Sequence, residues 1–113
     1  MDLFSQEFEW NSDKRGSNIE KYGIDFLDAI QIFAAPHFRE DRTREEDEET
    51  RKGAVGPLSA DIAPENWSGH LIVVMFTRRE GAIRMISARR ADTDERKRYD
   101  DHFGGSSPEG EQN

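Results

Sequence analysis

The sequence predicts an α+β domain, a mostly antiparallel sheet with two short N-terminal helices and one C-terminal helix. Three observations carry that expectation. HLIVVMFT (70–77) and AIRMISAR (82–89) are apolar-rich runs joined by RREG, a hairpin signal in which Gly81 can supply a positive φ. Two segments opened by good helix N-caps precede them, and a third follows. The elements read strand, helix, helix, several strands, helix, without the regular alternation of a parallel βαβ fold. A chain of 113 residues is the size of one core.

In chain order, QEFEW sets Phe8 and Trp10 on one side of a short extended segment, which reads as an edge strand. Asn11 or Ser12 then caps a helix running to about Tyr22, and Gly23 suits the left-handed turn that ends it. Asp25 caps a second helix in which Phe26, Ala29, Ile30 and Phe33 recur at helical spacing, and Pro36 stops it. Residues 37–41 and 51–55 read as two further strands, the second ended by Gly56-Pro57, and residues 58–68 read as a loop. The unbroken apolar run of 71–76 suggests a central strand buried on both faces. Strict alternation along the following strand places Ile83, Met85, Ser87 and Arg89 on one face and Arg84, Ile86, Ala88 and Arg90 on the other. Asp92 and Glu95 form a capping-box pattern that opens the last helix, through about Phe103. Residues 1–103 thus read as one domain with an acidic loop at about 40–50, and 104–113 as a disordered tail.

A formal charge of −8 argues at first against a nucleic-acid partner, because phosphate is drawn to a positive field. The charge is segregated, however. Residues 40–50 carry 2 basic and 7 acidic side chains, and residues 100–113 carry 4 acidic and no basic ones. Residues 77–99 carry 8 basic and 4 acidic side chains, a local excess of positive charge. Without the two acidic stretches the rest of the chain is +1. The acidic run reads first as a solvated loop and second as a docking surface for a basic partner.

Several chemistries are set aside at this level. The chain has no cysteine, hence no disulfide, thiol nucleophile or cysteine-based zinc site. His37, His70 and His102 are far apart and lack ligand spacing, so no metal site can be read from them. Neither a Gly-rich phosphate loop nor a GxSxG motif is present. The six-residue apolar run is far shorter than the roughly 20 residues of a membrane span. No signal-like start is visible, so a cytoplasmic location without a membrane partner is expected. What stands out is arginine in and around the hairpin: Arg78 and Arg79 at the turn, Arg84 within a strand, Arg89 and Arg90 at its exit. Arg84 has two readings, a phosphate contact or a side chain at the sheet edge paired with a carboxylate such as Glu9. For Arg96, Lys97 and Arg98 the reading is a solvated helix face.

The order and spacing of FEWNSDK, Asn18, IEKYG, IDF and DAIQIF, then ETRKGAVG, LIVVMFTRREG, IRMISARRA and DERKRY, resemble the BrnT family of type II toxin–antitoxin toxins. The resemblance runs from Phe8 to about Tyr99, and the stretch from Val73 to Ala91 is its most specific part. It implies a RelE-like ribonuclease fold that cleaves RNA without a metal or other cofactor and inhibits translation. It also implies a ribbon-helix-helix, BrnA-like antitoxin that neutralises the toxin and through which alone operator DNA is bound. In such chemistry a 2′-hydroxyl attacks its own phosphate, and guanidinium groups suit the charge that builds up. On the matched positions Arg51 and Arg89 are the leading catalytic candidates and Arg84 the next, with Arg90, Lys52 and Arg78 as substrate contacts. Glu49 and Lys52 are both left as candidates for moving a proton.

The chain departs from the family at Tyr22, where Lys-His-Gly is usual, at Ala35 before Pro36, and at Asn11. Its 56–71 segment is also longer. A phenol accepts a proton at neutral pH less readily than an imidazole does. These departures support an alternative, a catalytically weakened BrnT-like protein acting as an antitoxin-binding co-repressor.

Overall fold

The computed structural model describes residues 6–59, 61 and 70–103. The expectations for residues 104–113 and for most of the 58–68 loop fall outside them. The elements are β1 (Phe8–Glu9), α1 (Ser12–Tyr22), α2 (Phe26–Ala29), a 3-10 turn (Ile30–Ala34), β2 (Phe38–Asp41), β3 (Lys52–Pro57), β4 (Leu71–Arg79), β5 (Ala82–Arg90) and α3 (Thr93–His102). The strands form one sheet in the order β1-β5-β4-β3-β2. Every neighbouring pair is antiparallel except β1 with β5.

The sheet is covered on both faces. On one, Ala54, Ile72, Val74, Phe76, Ile83, Met85 and Ala88 pack with Ile24, Phe26, Ala29 and Ile32 from α2 and its surroundings. On the other, Phe38, Val55 and Val73 meet Ala91 together with Tyr99 and Phe103 at the end of α3. Strand β4 is therefore buried from both sides, and Ile72, Val73, Val74 and Phe76 are all fully inaccessible. This is the physical reason for its unbroken apolar run.

The caps are formed by the expected residues. Asn11 accepts from the backbone N–H groups of Asp13 and Lys14, Asp25 from that of Leu27, and Asp92 and Glu95 close a reciprocal capping box. The second helix differs from expectation in its second half, where it tightens into a 3-10 turn after Ala29. Phe26, Ala29 and Ile32, three residues apart, are all fully buried, as a three-residue period places them on one line. The turn lies close on β3, where a Cβ at Gly56 would come within 3.0 Å of the Cβ atoms of Ile32 and His37.

Two strand expectations are corrected. Strand β3 does not end before Gly56-Pro57 but runs through Pro57, pairing it with Leu71. The next residue, Leu58, donates to His70 at 2.6 Å, so Pro57 turns its missing N–H to the other side, where β2 stops at Phe38 opposite Val55. The second correction concerns β5. Met75 lies opposite Ser87 but Phe76 opposite Met85, so Ile86 is an extra residue, a β-bulge. The bulge reverses the alternation beyond it. Ala88 joins Ile83 and Met85 on the α2 face, and Arg89, opposite Val73, shares the α3 face with Arg84, opposite Thr77.

β1 pairs with β5 only at Ile83 and Arg84, leaving the β5 edge open further along. Asn18 of α1 fills that gap. Its side chain accepts from the Ala88 N–H (3.0 Å) and donates to the carbonyls of Ala88 (2.8 Å) and Ile24 (2.9 Å). A single buried amide thus acts as a short pairing strand and holds α1 against the sheet edge.

Candidate active site

Helix α3 covers only one end of its face of the sheet. At the other end the register places Arg84 of β5 opposite Thr77 of β4. Thr77 in turn donates its hydroxyl to the Thr50 carbonyl at 2.7 Å, which sets Arg51 at the entry of β3 beside it. A cleft of about 580 Å³ opens here, lined by Lys14, Arg51, Thr77, Arg79, Arg84, Met85 and Ile86 and by the carboxylates of Asp47, Glu48 and Glu49.

The carboxylates come from the β2–β3 connection, the acidic run of the sequence. It is an ordered loop rather than a free one. The Arg42 N–H donates to the Arg51 carbonyl at 2.8 Å, and the Thr43 hydroxyl accepts from the Arg51 N–H at 2.8 Å, closing its base. Inside it, Asp47 accepts from the Arg44 backbone (2.8 Å) and guanidinium (2.9 Å), and its side chain is only 10% exposed. Hydrogen bonding to Arg44 holds the Asp47 carboxyl below its ordinary range.

The arginines of the cleft therefore meet carboxylates. Arg79 forms a two-pronged pair with Glu49 (2.8 and 3.1 Å), which lowers the Glu49 pKa. Arg84 pairs with Glu9 at 3.1 Å, one of the two readings of its sequence position. Arg51 lies 3.6 Å from Asp47. Lys14 reaches the cleft from α1.

Arg89 lies on the same face but at the α3 end. Both of its terminal nitrogens donate to Glu95 (2.9 and 2.8 Å), and one also reaches the Arg90 carbonyl. Glu95, 3% exposed, also accepts from Arg42 (3.0 Å) and the Asp92 N–H (2.9 Å). Burial works to raise its pKa, but Arg89, Asp92 and Arg42 together outweigh it and hold the carboxyl at about 2. Arg42 and Arg98 both bond Glu40, so the network ties β5, α3, the acidic loop and β2 together. Arg98 is thus engaged with the sheet rather than simply solvated.

The remaining candidates lie elsewhere. Arg90 is opposite Ile72, Lys52 opposite Phe76 and Arg78 opposite Ile83, all partners on the α2 face. Of the residues singled out by sequence, the structure brings Arg51 and Arg84 into one cleft, with Glu49 beside them. Thr77 and Lys14 were missed. Lys14 stands within the matched FEWNSDK segment, so its signal was present without a reason to connect it to Arg51.

The lining supplies cations that can hold phosphate and carboxylates that can accept a proton, and the described residues that line it include no histidine. Among the described residues no group of three or more His, Asp or Glu side chains could hold a metal ion. No described helix is long and apolar enough to cross a membrane.

Comparison with known proteins adds to this geometry. Residues 10–95 match the family described as the ribonuclease toxin BrnT of type II toxin–antitoxin systems. Among solved structures the chain is similar to the Brucella abortus ribonuclease toxin BrnT, with a TM-score of 0.53 and 26% identity. That match covers 78% of this chain and 99% of the other. No curated protein matches the chain.

Proposed function

Since the chain belongs to the BrnT family, the ribonuclease toxins of type II toxin–antitoxin systems, we propose that it cleaves RNA in the cleft between Arg51 and Arg84 without a metal and so inhibits translation in the cytoplasm. The observation that carries this reading is the grouping of Arg51 at the entry of β3 with the paired Thr77 of β4 and Arg84 of β5, on the part of the sheet face that α3 leaves open. Two guanidinium groups on either side of β4 grip a phosphate from two sides.

In the proposed reaction the RNA 2′-hydroxyl attacks the adjacent phosphorus as the bond to the 5′-oxygen breaks, giving a 2′,3′-cyclic phosphate and a 5′-hydroxyl. Arg51 and Arg84 stabilise the extra negative charge on the phosphoryl oxygens. Of the two proton-moving candidates, Glu49 lines the cleft and takes the proton of the attacking hydroxyl, whereas Lys52 is on the other face. The departing oxygen takes its proton from solvent in the open cleft. Arg89 positions α3 through Glu95 rather than touching RNA, and Arg90, Lys52 and Arg78 lie outside the footprint.

A type II system implies an antitoxin partner. We assign it the ribbon-helix-helix, BrnA-like class, with operator DNA bound through it alone. The pairing of Arg51, Arg79 and Arg84 with carboxylates favours a second reading, a weakened nuclease that serves as antitoxin-binding co-repressor.

The test is incubation of the purified chain with single-stranded RNA in excess chelator, with end-group analysis. Cyclic phosphate ends that disappear in Arg51→Ala and Arg84→Ala, with folding intact, support the cleft. Cleavage unchanged in both variants overturns the site, and no cleavage together with tight antitoxin binding selects the co-repressor.

A further inference from the structure

We infer that Lys14 is a substrate-binding residue that holds an RNA phosphate flanking the one cleaved; this rests on the ribonuclease reading of the cleft. Lys14 lines that cleft with Arg51 and Arg84 but belongs to α1, a different element from the strands that carry the arginines.

The cations of the cleft differ in availability. Arg79 is held by Glu49, Arg84 by Glu9, and Arg51 lies beside Asp47. A phosphate that binds any of them must displace or share a carboxylate. Among the described residues Lys14 has no such partner, so its charge is open to an incoming anion without an exchange. An ammonium with three rotatable donors also tolerates many phosphate orientations, which fits a flanking phosphate better than the reacting one.

Its backbone is well placed. The Lys14 N–H donates to the Asn11 cap at 3.2 Å, and four residues later the buried Asn18 fastens α1 to β5 through Ala88. On the next residue, Arg15 makes a two-pronged pair with Asp25 at the start of α2 (2.8 Å each). The helix is thus clamped at both sides of Lys14, and only the side chain is free to move.

The experiment measures binding of a single-stranded RNA oligonucleotide with 2′-O-methyl groups, which cannot be cleaved, to the full chain and to Lys14→Gln, Lys14→Arg and Lys21→Gln over a range of salt. Lys21 lies on the same helix outside the cleft lining and reports a general charge effect. We expect Lys14→Gln to weaken binding about fivefold at low salt, of the order of one exposed charge contact. The slope of log affinity against log salt should fall by about 0.7, the value for one single-strand phosphate contact. Lys14→Arg should retain most of the affinity, and Lys21→Gln should leave it unchanged. Thermal melting should be the same for all four proteins. If Lys14→Gln binds like Lys21→Gln while the unmutated chain binds RNA, this assignment is overturned and the ribonuclease reading stands. If the unmutated chain binds no RNA, both are overturned.

Discussion

Arg89 closes a two-pronged pair on Glu95, 2.9 and 2.8 Å between nitrogen and oxygen, beneath the first turn of α3. The carboxylate is also the reciprocal half of the α3 capping box and a partner of Arg42. One side chain thereby joins a helix start, a strand end and the base of the acidic loop. Its energetic weight comes from burial, because a 3% exposed carboxylate has little water to fall back on.

The pair makes the fold acid-sensitive. Glu95 titrates at about 2 in the folded chain against an ordinary value of 4.5. A depressed carboxylate contributes its stability above the unfolded value and loses it as pH falls toward the folded one, here between about 4.5 and 2. The full contribution is about 3 kcal/mol. Urea unfolding at pH 7 and pH 2.5 should show the drop, to which the other depressed carboxylates, Asp25, Glu40, Asp41, Asp47 and Glu49, add, and Glu95→Gln should make it shallower. An equally steep acid loss in the variant would place the sensitivity elsewhere.

Arg89 and Arg51 should separate stability from activity. Arg89→Met leaves Glu95 with Arg42 as its only guanidinium partner and should cost about 3 kcal/mol in urea unfolding. Its cleavage rate per folded molecule should stay near that of the parent. Arg51→Ala should do the reverse, with melting nearly unchanged and cleavage down about a hundredfold. A comparable rate loss in folded Arg89→Met would give Arg89 a direct role in the chemistry.

Glu49 should influence binding and rate in opposite directions. Glu49→Gln removes the carboxylate that holds Arg79 and the proposed proton acceptor at once. Tighter binding of uncleavable RNA is expected, with slower cleavage of ordinary RNA. Because Arg79 holds the Glu49 pKa down, the group is ionised throughout the neutral range, so the parent's rate should be flat in pH there as far as Glu49 is concerned. Weaker RNA binding by the variant would argue that the pair organises the loop instead of competing with phosphate.

Asn18 should be more costly to replace than its polar character suggests. Asn18→Asp keeps the size but loses two donated hydrogen bonds and turns a buried charge toward two carbonyls. Asn18→Ala strands the Ala88 N–H and carbonyl. Losses of about 3 kcal/mol for the alanine and more for the aspartate should be measurable by urea unfolding. A loss below about 1 kcal/mol would mean that water replaces the amide at the edge.

Much of the architecture can be read in the sequence because it rests on contacts within a few residues. Asn11, Asp25 and the Asp92–Glu95 box cap helices through their own neighbours. The two-residue Glu80-Gly81 turn, with φ of 52° and 87°, joins its strands locally. The apolar run of β4 records burial on both faces. The position of each cation is a different matter. Whether Arg89 shares a face with Arg84 depends on the bulge at Ile86, and a shift of one residue reverses every side chain beyond it. Nothing in the order of residues announces that Glu95 receives Arg89 and Arg42, or that Glu49 turns back to Arg79, 30 residues away. Capping, periodicity and turn chemistry are local, and they make the elements and their order legible in the chain before it folds. Which charges meet follows from strand register and burial, because these set the distances between residues far apart in the chain.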